Sequence, residues 1–464
     1  MGLPKCDKRE IITSCGEQVE DNNMEQFRLP KIDVPAFDLP KAVVRVMEEA
    51  EQKLAHRPKL LKLFKNCFPN TLETTTKLLD DGTTFVLTGD IPAMWLRDSV
   101  EQVIHYVPFA KDDKDLQRII GGLIKRHMFY INIDPYANAF NETANDWHWD
   151  ANDQTEMSPW VWERKYELDS MCFSIRLAYM YWKETGRTDI FDTNFKSAMR
   201  KIVDVWKTEQ HHFEQSQYRF TRVNCPAIDT IRNEGKGMPV NYTGMTWSGF
   251  RPSDDACDFH YSIPSNMFAV VSLRQMQEIA KYGFRDEEFV SEMAKLEEEI
   301  NHGIQLYGVH NHPTYGKIYV YETDGFGNYC LLDDAGTPSL LSIPYIGYAD
   351  ASDPIYENTR KFILSKENPY YFEGKVAKGI GSPHTPDGYV WHMALSMQGL
   401  TAASDEEMLA MIDMLEATDA DTGFMHEGFL ADDPNVFTRP WFAWSNSLFS
   451  QLVWKAMHRG LLDK

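Results

Sequence analysis

The feature that most constrains this fold is a pair of adjacent helical segments of opposite character. Residues 265–281 are strongly apolar around the whole helical circumference, the pattern of a helix buried on every side. Residues 286–302 follow at once, with Phe289, Met293, Leu296 and Ile300 on one face and glutamates on the other. A buried helix closely joined to an exposed one reads as an inner and outer pair in a helical array. Related patterns recur along the chain. Residues 40–64 are rich in Ala, Glu, Lys and Leu, with an interruption near Pro58. Residues 113–130 place Leu116, Ile119, Ile120, Leu123 and Ile124 on one face. Ser404 and Glu407 form a capping-box signature, and residues 441–459 end at Gly460, a suitable C′ glycine. Strand signals are few: 218–223 and 317–321 predict short hairpins.

Between the helices run long aromatic and acidic connections, at 141–162, 232–262 and 420–439. Structureless connections of that length within a compact domain are usually functional. About ten to twelve helices with functional loops gathered at one end predict an all-α fold, an α/α toroid with a few short β-hairpins. Periodicity alone fits another all-α array equally well. Residues 1–35 lack periodicity and read as a tail or strap. Residues 36–464 then form a single domain, since no repeat or Pro/Ser linker divides them.

The chain of 464 residues carries 47 basic and 69 acidic side chains, a net charge of −22. Such a surface repels phosphate backbones, which argues against nucleic acid and anionic membranes as partners. No stretch approaches the roughly 18 apolar residues of a membrane span. The cysteines Cys6, Cys15, Cys67, Cys172, Cys225, Cys257 and Cys330 are scattered, odd in number and without a C-x-x-C pair. That pattern fits neither a disulfide framework nor a zinc ribbon, and with no signal-peptide pattern a cytoplasmic location is expected. Cys6 stands where a myristoylation signal requires Ser or Thr, and the sequons at Asn141 and Asn241 read as chance matches.

No P-loop, nucleophile elbow or H-E-x-x-H is present. Asp419, Asp421 and Gly423 faintly resemble a calcium loop, but Leu430 occupies the position of its bidentate Glu. Four stretches combine carboxylates with Arg, His and Trp: TGDIPAMWLRDS at 88–99, TWSGFRPSDD at 246–255, GIGSPHTPDGYVW at 379–391 and GFMHEGF at 423–429. In the first, Arg97 and Asp98 read either as a surface ion pair at a helix start or, beside Trp95, as a sugar platform. Sugars offer polar edges and apolar faces, which carboxylates, Arg and Trp complement. In the second, Asp254 and Asp255 read either as caps or as a general acid held near Trp247 and Arg251. In the third, His384 is a structural donor or a ligand group, and Trp391 follows it. In the fourth, Glu427 lies between His426 and Gly428 in an apolar loop and reads as a catalytic carboxylate. Glycoside hydrolysis needs two such carboxyls, one protonated to assist the leaving oxygen and one ionised.

These four stretches in this order resemble the glycoside hydrolase family 125 exo-α-mannosidases. The resemblance extends over roughly residues 35–460, including YELDS at 166–170, Asp333-Asp334 with Pro338-Ser339-Leu340-Leu341, and RPWFAWSNS at 439–447. It implies an (α/α)6 barrel that removes terminal α-1,6-linked mannose from α-mannosides such as N-glycan-derived oligosaccharides, with inversion and without a metal or cofactor. It places the general acid at Asp254, with Asp255 in reserve, and the general base at Glu427. Trp95, Arg97, Asp98, Trp247, Arg251, His384, Trp391 and His426 become the substrate-binding candidates. Two departures stand out: the family often has Ser where this chain has Gly428, and His392 follows Trp391.

The mechanism so implied has Asp254, kept protonated by an apolar setting, protonate the glycosidic oxygen while Glu427 deprotonates a water on the opposite face. Two other readings keep the helical array. One is a different sugar-active toroid enzyme, a calcium-dependent α-mannosidase or a sugar epimerase. The other is a non-catalytic glycan-binding array, for which Asp254 and Glu427 would be dispensable.

Overall fold

A computed structural model describes Val34 and residues 37–463. The segment read as a tail therefore lies outside the described residues apart from Val34, as do Cys6 and Cys15. Of fifteen α-helices among the described residues, thirteen set the architecture, the short turns Asn70–Thr74 and His212–Gln215 aside: α1 Lys41–Lys53, α2 Pro58–Cys67, α3 Leu96–Glu101, α4 Lys114–Ile133, α5 Leu168–Thr185, α6 Thr193–Glu209, α7 Ile263–Ile279, α8 Glu287–Tyr307, α9 Ile343–Ile346, α10 Pro354–Ile363, α11 His392–Leu400, α12 Asp405–Ala417 and α13 Ala443–His458.

The helices alternate between two rings. The inner ring is α3, α5, α7, α9, α11 and α13, and apart from the single turn α9, which buries Ile343 and Ile346, its members are buried along most of their length. α7 is the apolar segment anticipated from sequence, with 13 of its residues buried from Ile263 to Ile279. The outer ring is amphipathic: α8 buries Phe289, Met293, Leu296 and Ile300 and turns its glutamates outward. Each inner helix is followed by an outer one, and α1 with α2 completes the outer ring beside α13. Within the inner ring α3 packs on α5, α5 on α7, α11 on α13 and α13 on α3. The result is an (α/α)6 barrel.

Helix ends follow local chemistry. Asp113 caps α4 by accepting from Asp115 N and Leu116 N, and Asp286 caps α8 through Phe289 N. Ser404 Oγ accepts from Glu407 N, while Glu407 Oε2 reaches back one residue further than a capping box requires, to Ala403 N. Pro58 opens α2 at its first turn, which explains the break that follows α1. α13 ends before Gly460, whose φ is +69°.

The predicted hairpins divide. Gly316–Tyr319 pairs antiparallel with Val309–His312. Residues 218–223 form no strand; only Thr221 makes a bridge, with Gln154. Their side chains are engaged elsewhere. Tyr218 stacks on Tyr136 and donates to Arg164 O, and Arg222 pairs with Asp153 and Glu163.

What positions the site is the sense of the inner ring. Short strands run directly into inner helices: Met94–Trp95 into α3, Tyr261–Ser262 into α7, and Tyr389–Trp391 into α11. Met94–Trp95 pairs with Ala139–Phe140, and Trp391 stands opposite Gly428 in an antiparallel pair. The connections from outer to inner helices therefore collect at the N-terminal end of the inner ring. All four motif stretches lie in those connections or in the first turn after them.

Candidate active site

At that end, a narrow cavity is lined by Thr88 to Ile91, Trp95, Arg97, Asp98, Gln102, Pro252 to Asp254, His384, Trp391, Glu427, Arg439 and Trp441 to Trp444. Trp95, Arg97, Asp98, Asp254, His384, Trp391 and Glu427, singled out in the sequence, are thus brought together. Gln102 follows the last residue of α3 and lies deep in the barrel, almost wholly buried.

Arg97 is the hub. Its guanidinium lies 2.6 Å from Glu167 Oε2, 3.1 Å from Asp254 Oδ1, 3.5 Å from Asp169 Oδ2 and 3.6 Å from Asp98 Oδ2. One buried cation faces four carboxyl groups, so they cannot all be ionised at little cost. Burial pushes Asp98 and Asp169 up to about 6 against the pull of Arg97. It drives Glu167 well above the carboxylate range, and the charge of Asp254 adds to the effect.

Asp254 has backbone φ +67°, in the left-handed region that Asp tolerates better than most residues. The surrounding loop is pinned to hold it there. Arg251 Nε lies 2.6 Å from Glu322, Ser253 Oγ donates to Asp334 at 2.6 Å, and Lys165 Nζ donates to Asp254 O at 2.8 Å. Adjacent carboxylates therefore point apart. Asp254 keeps 31% of its side chain exposed in the cavity, whereas the side chain of Asp255 is sealed and meets His384 Nδ1 at 3.0 Å. The expectation of an apolar setting around Asp254 is not met. Burial does push its carboxyl up, but Arg97, a hydrogen bond with Glu167, Lys165 and His384 together hold it below the usual carboxylate range.

His384 is raised to about 10: burial works against the charge, but the bond to Asp255 and the charges of Asp255, Glu427 and Asp254 outweigh it. Glu427 also lines the cavity, with Arg439 Nε 3.5 Å from its Oε1. Among the described residues, buried polar atoms of cavity-lining side chains without a hydrogen-bond partner include Trp95 Nε1 and Asp98 Oδ2. Unsatisfied groups of both kinds beside indole faces suit a polyhydroxylated ligand.

Three sequence candidates lie elsewhere. Trp247 is fully buried and sandwiched between His212 and His260, at 3.7 and 4.6 Å between ring centroids. Arg251 is buried against Glu322 and Asp258 and serves the loop. His426 stacks on Phe437 and bridges Arg439 O and Asp419 O, tying together the ends of the loop that carries Glu427. A motif string marks which residues share a loop but not which side chains face inward. Sequence reading also passed over Glu167 as a site residue, although it lies in the YELDS string, and Arg439 and Trp444 in the RPWFAWSNS string.

Cations are already supplied where acidic groups gather. Asp258, Glu322 and Cys330 bring ligand atoms within 4.8 Å of one another, but Arg251 pairs with both carboxylates. The faint calcium loop has Lys59 beside both Asp419 and Asp421, at 2.7 and 3.4 Å. Neither group offers a divalent ion an uncompensated set of oxygens.

An (α/α)6 barrel with two carboxyls from separate loops lining one cavity beside indole faces has the features of a glycoside hydrolase of the helical-barrel class. Residues 57–454 match the family described as metal-independent alpha-mannosidase (GH125). The chain is similar to a Streptococcus pneumoniae protein of a family of metal-independent alpha mannosidases, solved as a non-productive complex with α-1,6-mannobiose. That match has 45% identity and a TM-score of 0.88 and covers 90% of this chain and 99% of that one. It is also 38% identical over 447 residues to the Meiotically up-regulated gene 157 protein of Schizosaccharomyces pombe, covering 90% of this chain and 86% of the relative. A bacterial glucoamylase shares the fold alone, at 14% identity and a TM-score of 0.51, over 87% of this chain and 55% of that one. The chain belongs to glycoside hydrolase family 125, the metal-independent α-mannosidases.

Proposed function

We propose that this α-mannosidase is exo-acting, cleaves α-1,6-linked mannose and inverts the anomeric carbon, with Asp254 as general acid and Glu427 as general base. The observation that carries the reading is that Asp254 and Glu427, from loops preceding different inner helices, both line the one cavity that also holds Trp95, Arg97 and Asp98. The terminal mannose sits against Trp95, with its hydroxyls toward Asp98 and Arg97. Asp254 protonates the departing glycosidic oxygen. Glu427 takes a proton from a water that attacks C1 from the other face, and an inverting pair stands roughly 6.5–9.5 Å apart to admit that water. His384, protonated beside Asp255, adds positive charge that acts on both Asp254 and Glu427. The choice of linkage is supported by the 45% identical streptococcal protein, solved as a non-productive complex with α-1,6-mannobiose.

The test is hydrolysis of α-1,6-mannobiose in EDTA, with the anomeric protons followed by NMR. Initial release of β-mannose is expected. Initial α-mannose would replace inversion with retention, and loss of activity in EDTA would contradict the metal-free scheme.

A further inference from the structure

Glu167 is fully buried next to the first residue of α5 and does not line the cavity, yet it belongs to the same charge cluster. Its Oε2 lies 2.6 Å from Arg97 Nη1 and accepts from Ser170 Oγ at 3.0 Å, and its Oε1 accepts from Asn138 Nδ2 at 3.3 Å. The other arm of the same guanidinium holds Asp254 at 3.1 Å. The two carboxyl groups are within hydrogen-bonding reach of each other.

The groups facing this pair are Arg97 and Asp98 from α3, Asp169 from α5, Lys165 from the segment before α5 and His384 from the loop before α11, with Glu163 behind them on Asn138 Nδ2 and Lys165. Two carboxyls in hydrogen-bond contact share one proton rather than both ionising. Lys165 and His384 favour charge on Asp254, while Glu167 is sealed from water, so the proton rests on Glu167. A general acid held ionised at rest needs such a source.

We infer that Glu167 stores the proton of the general acid, giving it to Asp254 as Asp254 protonates the leaving oxygen. This rests on the assignment of Asp254 above. The Glu167 O–H bond breaks as an Asp254 O–H bond forms. That bond breaks in turn as its proton passes to the glycosidic oxygen, which departs with the electron pair of the C1–O bond. Glu167 is left as a carboxylate held by Arg97, Ser170 and Asn138. The attacking water becomes the C1 hydroxyl and its proton goes to Glu427. Glu427 then releases that proton to solvent, and one solvent proton reloads the pair. Glu167 is a positioning residue in this scheme, because it acts through Asp254.

Glu167→Gln keeps the shape and the contact with Asp254 but has no carboxyl proton to give. With α-1,6-mannobiose, whose leaving group needs a proton, kcat should fall at least about 100-fold, the scale of general acid catalysis. The basic limb of its pH profile should move to lower pH. With 2,4-dinitrophenyl α-mannoside, whose leaving group needs none, kcat should stay within about fivefold. Glu167→Asp, with a shorter reach, should show the same substrate dependence more weakly, and it decides the matter if Glu167→Gln does not fold. An equal loss on both substrates, or no loss on either, overturns the proposal. Asp254→Asn is measured in parallel. If Asp254→Asn shows no such substrate dependence, the assignment of the acid itself fails, a result distinct from failure of Glu167 alone.

Discussion

Asp255 Oδ1 lies 3.0 Å from His384 Nδ1, joining the loop before α7 to the loop before α11. The contact keeps His384 protonated up to about pH 10. A raised histidine stabilises the fold fully below its unfolded value of about 6.5, and that contribution is lost as pH rises through the folded value. Urea unfolding at a series of pH values should therefore show stability falling between about pH 7 and 10. In Asp255→Asn the imidazole should titrate nearer neutrality, visible by NMR, and kcat/KM should decline through that range. An unmoved profile would show that Asp255 does not set the charge of His384.

Asp254→Asn and Glu427→Gln should each lower kcat on α-1,6-mannobiose by about 10² to 10⁴-fold, the range of acid–base catalysis. Both side chains keep part of their exposure in the cavity, so the thermal midpoint should change little. Calorimetric titration with mannose should still detect binding. Wild-type turnover in both variants would remove them from the chemistry.

Gly428 faces the edge of Trp391. A Cβ there would stand 3.1 Å from Trp391 Cδ1 and Nε1, so the indole must yield by a few tenths of an ångström. Trp391 lines the cavity and donates to Thr385 Oγ1 at 2.8 Å, which limits how far it can move. Gly428→Ser should raise KM several-fold with a smaller effect on kcat, and should cost about 1–3 kcal/mol of stability, as overpacking does. Steady-state kinetics and denaturant melts check both parts.

Arg251 carries its prediction into stability rather than binding. Arg251→Met would leave Glu322 without its principal cation in a site where both side chains are almost fully buried. Loss of one partner of a buried pair typically costs about 3–5 kcal/mol. The melting temperature should fall sharply, and activity should fall with it, because the loop that presents Asp254 loses its anchor. A variant that melts like the wild type would contradict this role.

Much of the fold was legible because it rests on local rules. The wholly apolar 265–281 segment and the one-sided 286–302 segment predict an inner and an outer helix, and α7 and α8 are that pair. Asp113, Asp286, Ser404 and Pro58 mark helix starts through hydrogen bonds or ring geometry that span only a few residues. The motif strings also marked the loops that line the cavity, since every such loop leads into an inner helix. The hairpin expected at 218–223 was lost because its side chains bond to distant segments, which no local pattern registers.

Sequence alone determined the residue types, the helical alternation and the loops that carry the chemistry, because each depends on neighbours along the chain. Tertiary structure decided which side chains turn inward and which form are charged. Two adjacent aspartates are told apart by a left-handed φ and the Arg97 guanidinium at Asp254 and by a histidine 129 residues away from Asp255. Trp247, Arg251 and His426 were withdrawn from the cavity by partners in other elements. Glu167 and Asp254 became a proton-sharing pair only where folding brought both onto one guanidinium. Charge and burial act through space over a few ångströms, and sequence order does not measure that distance.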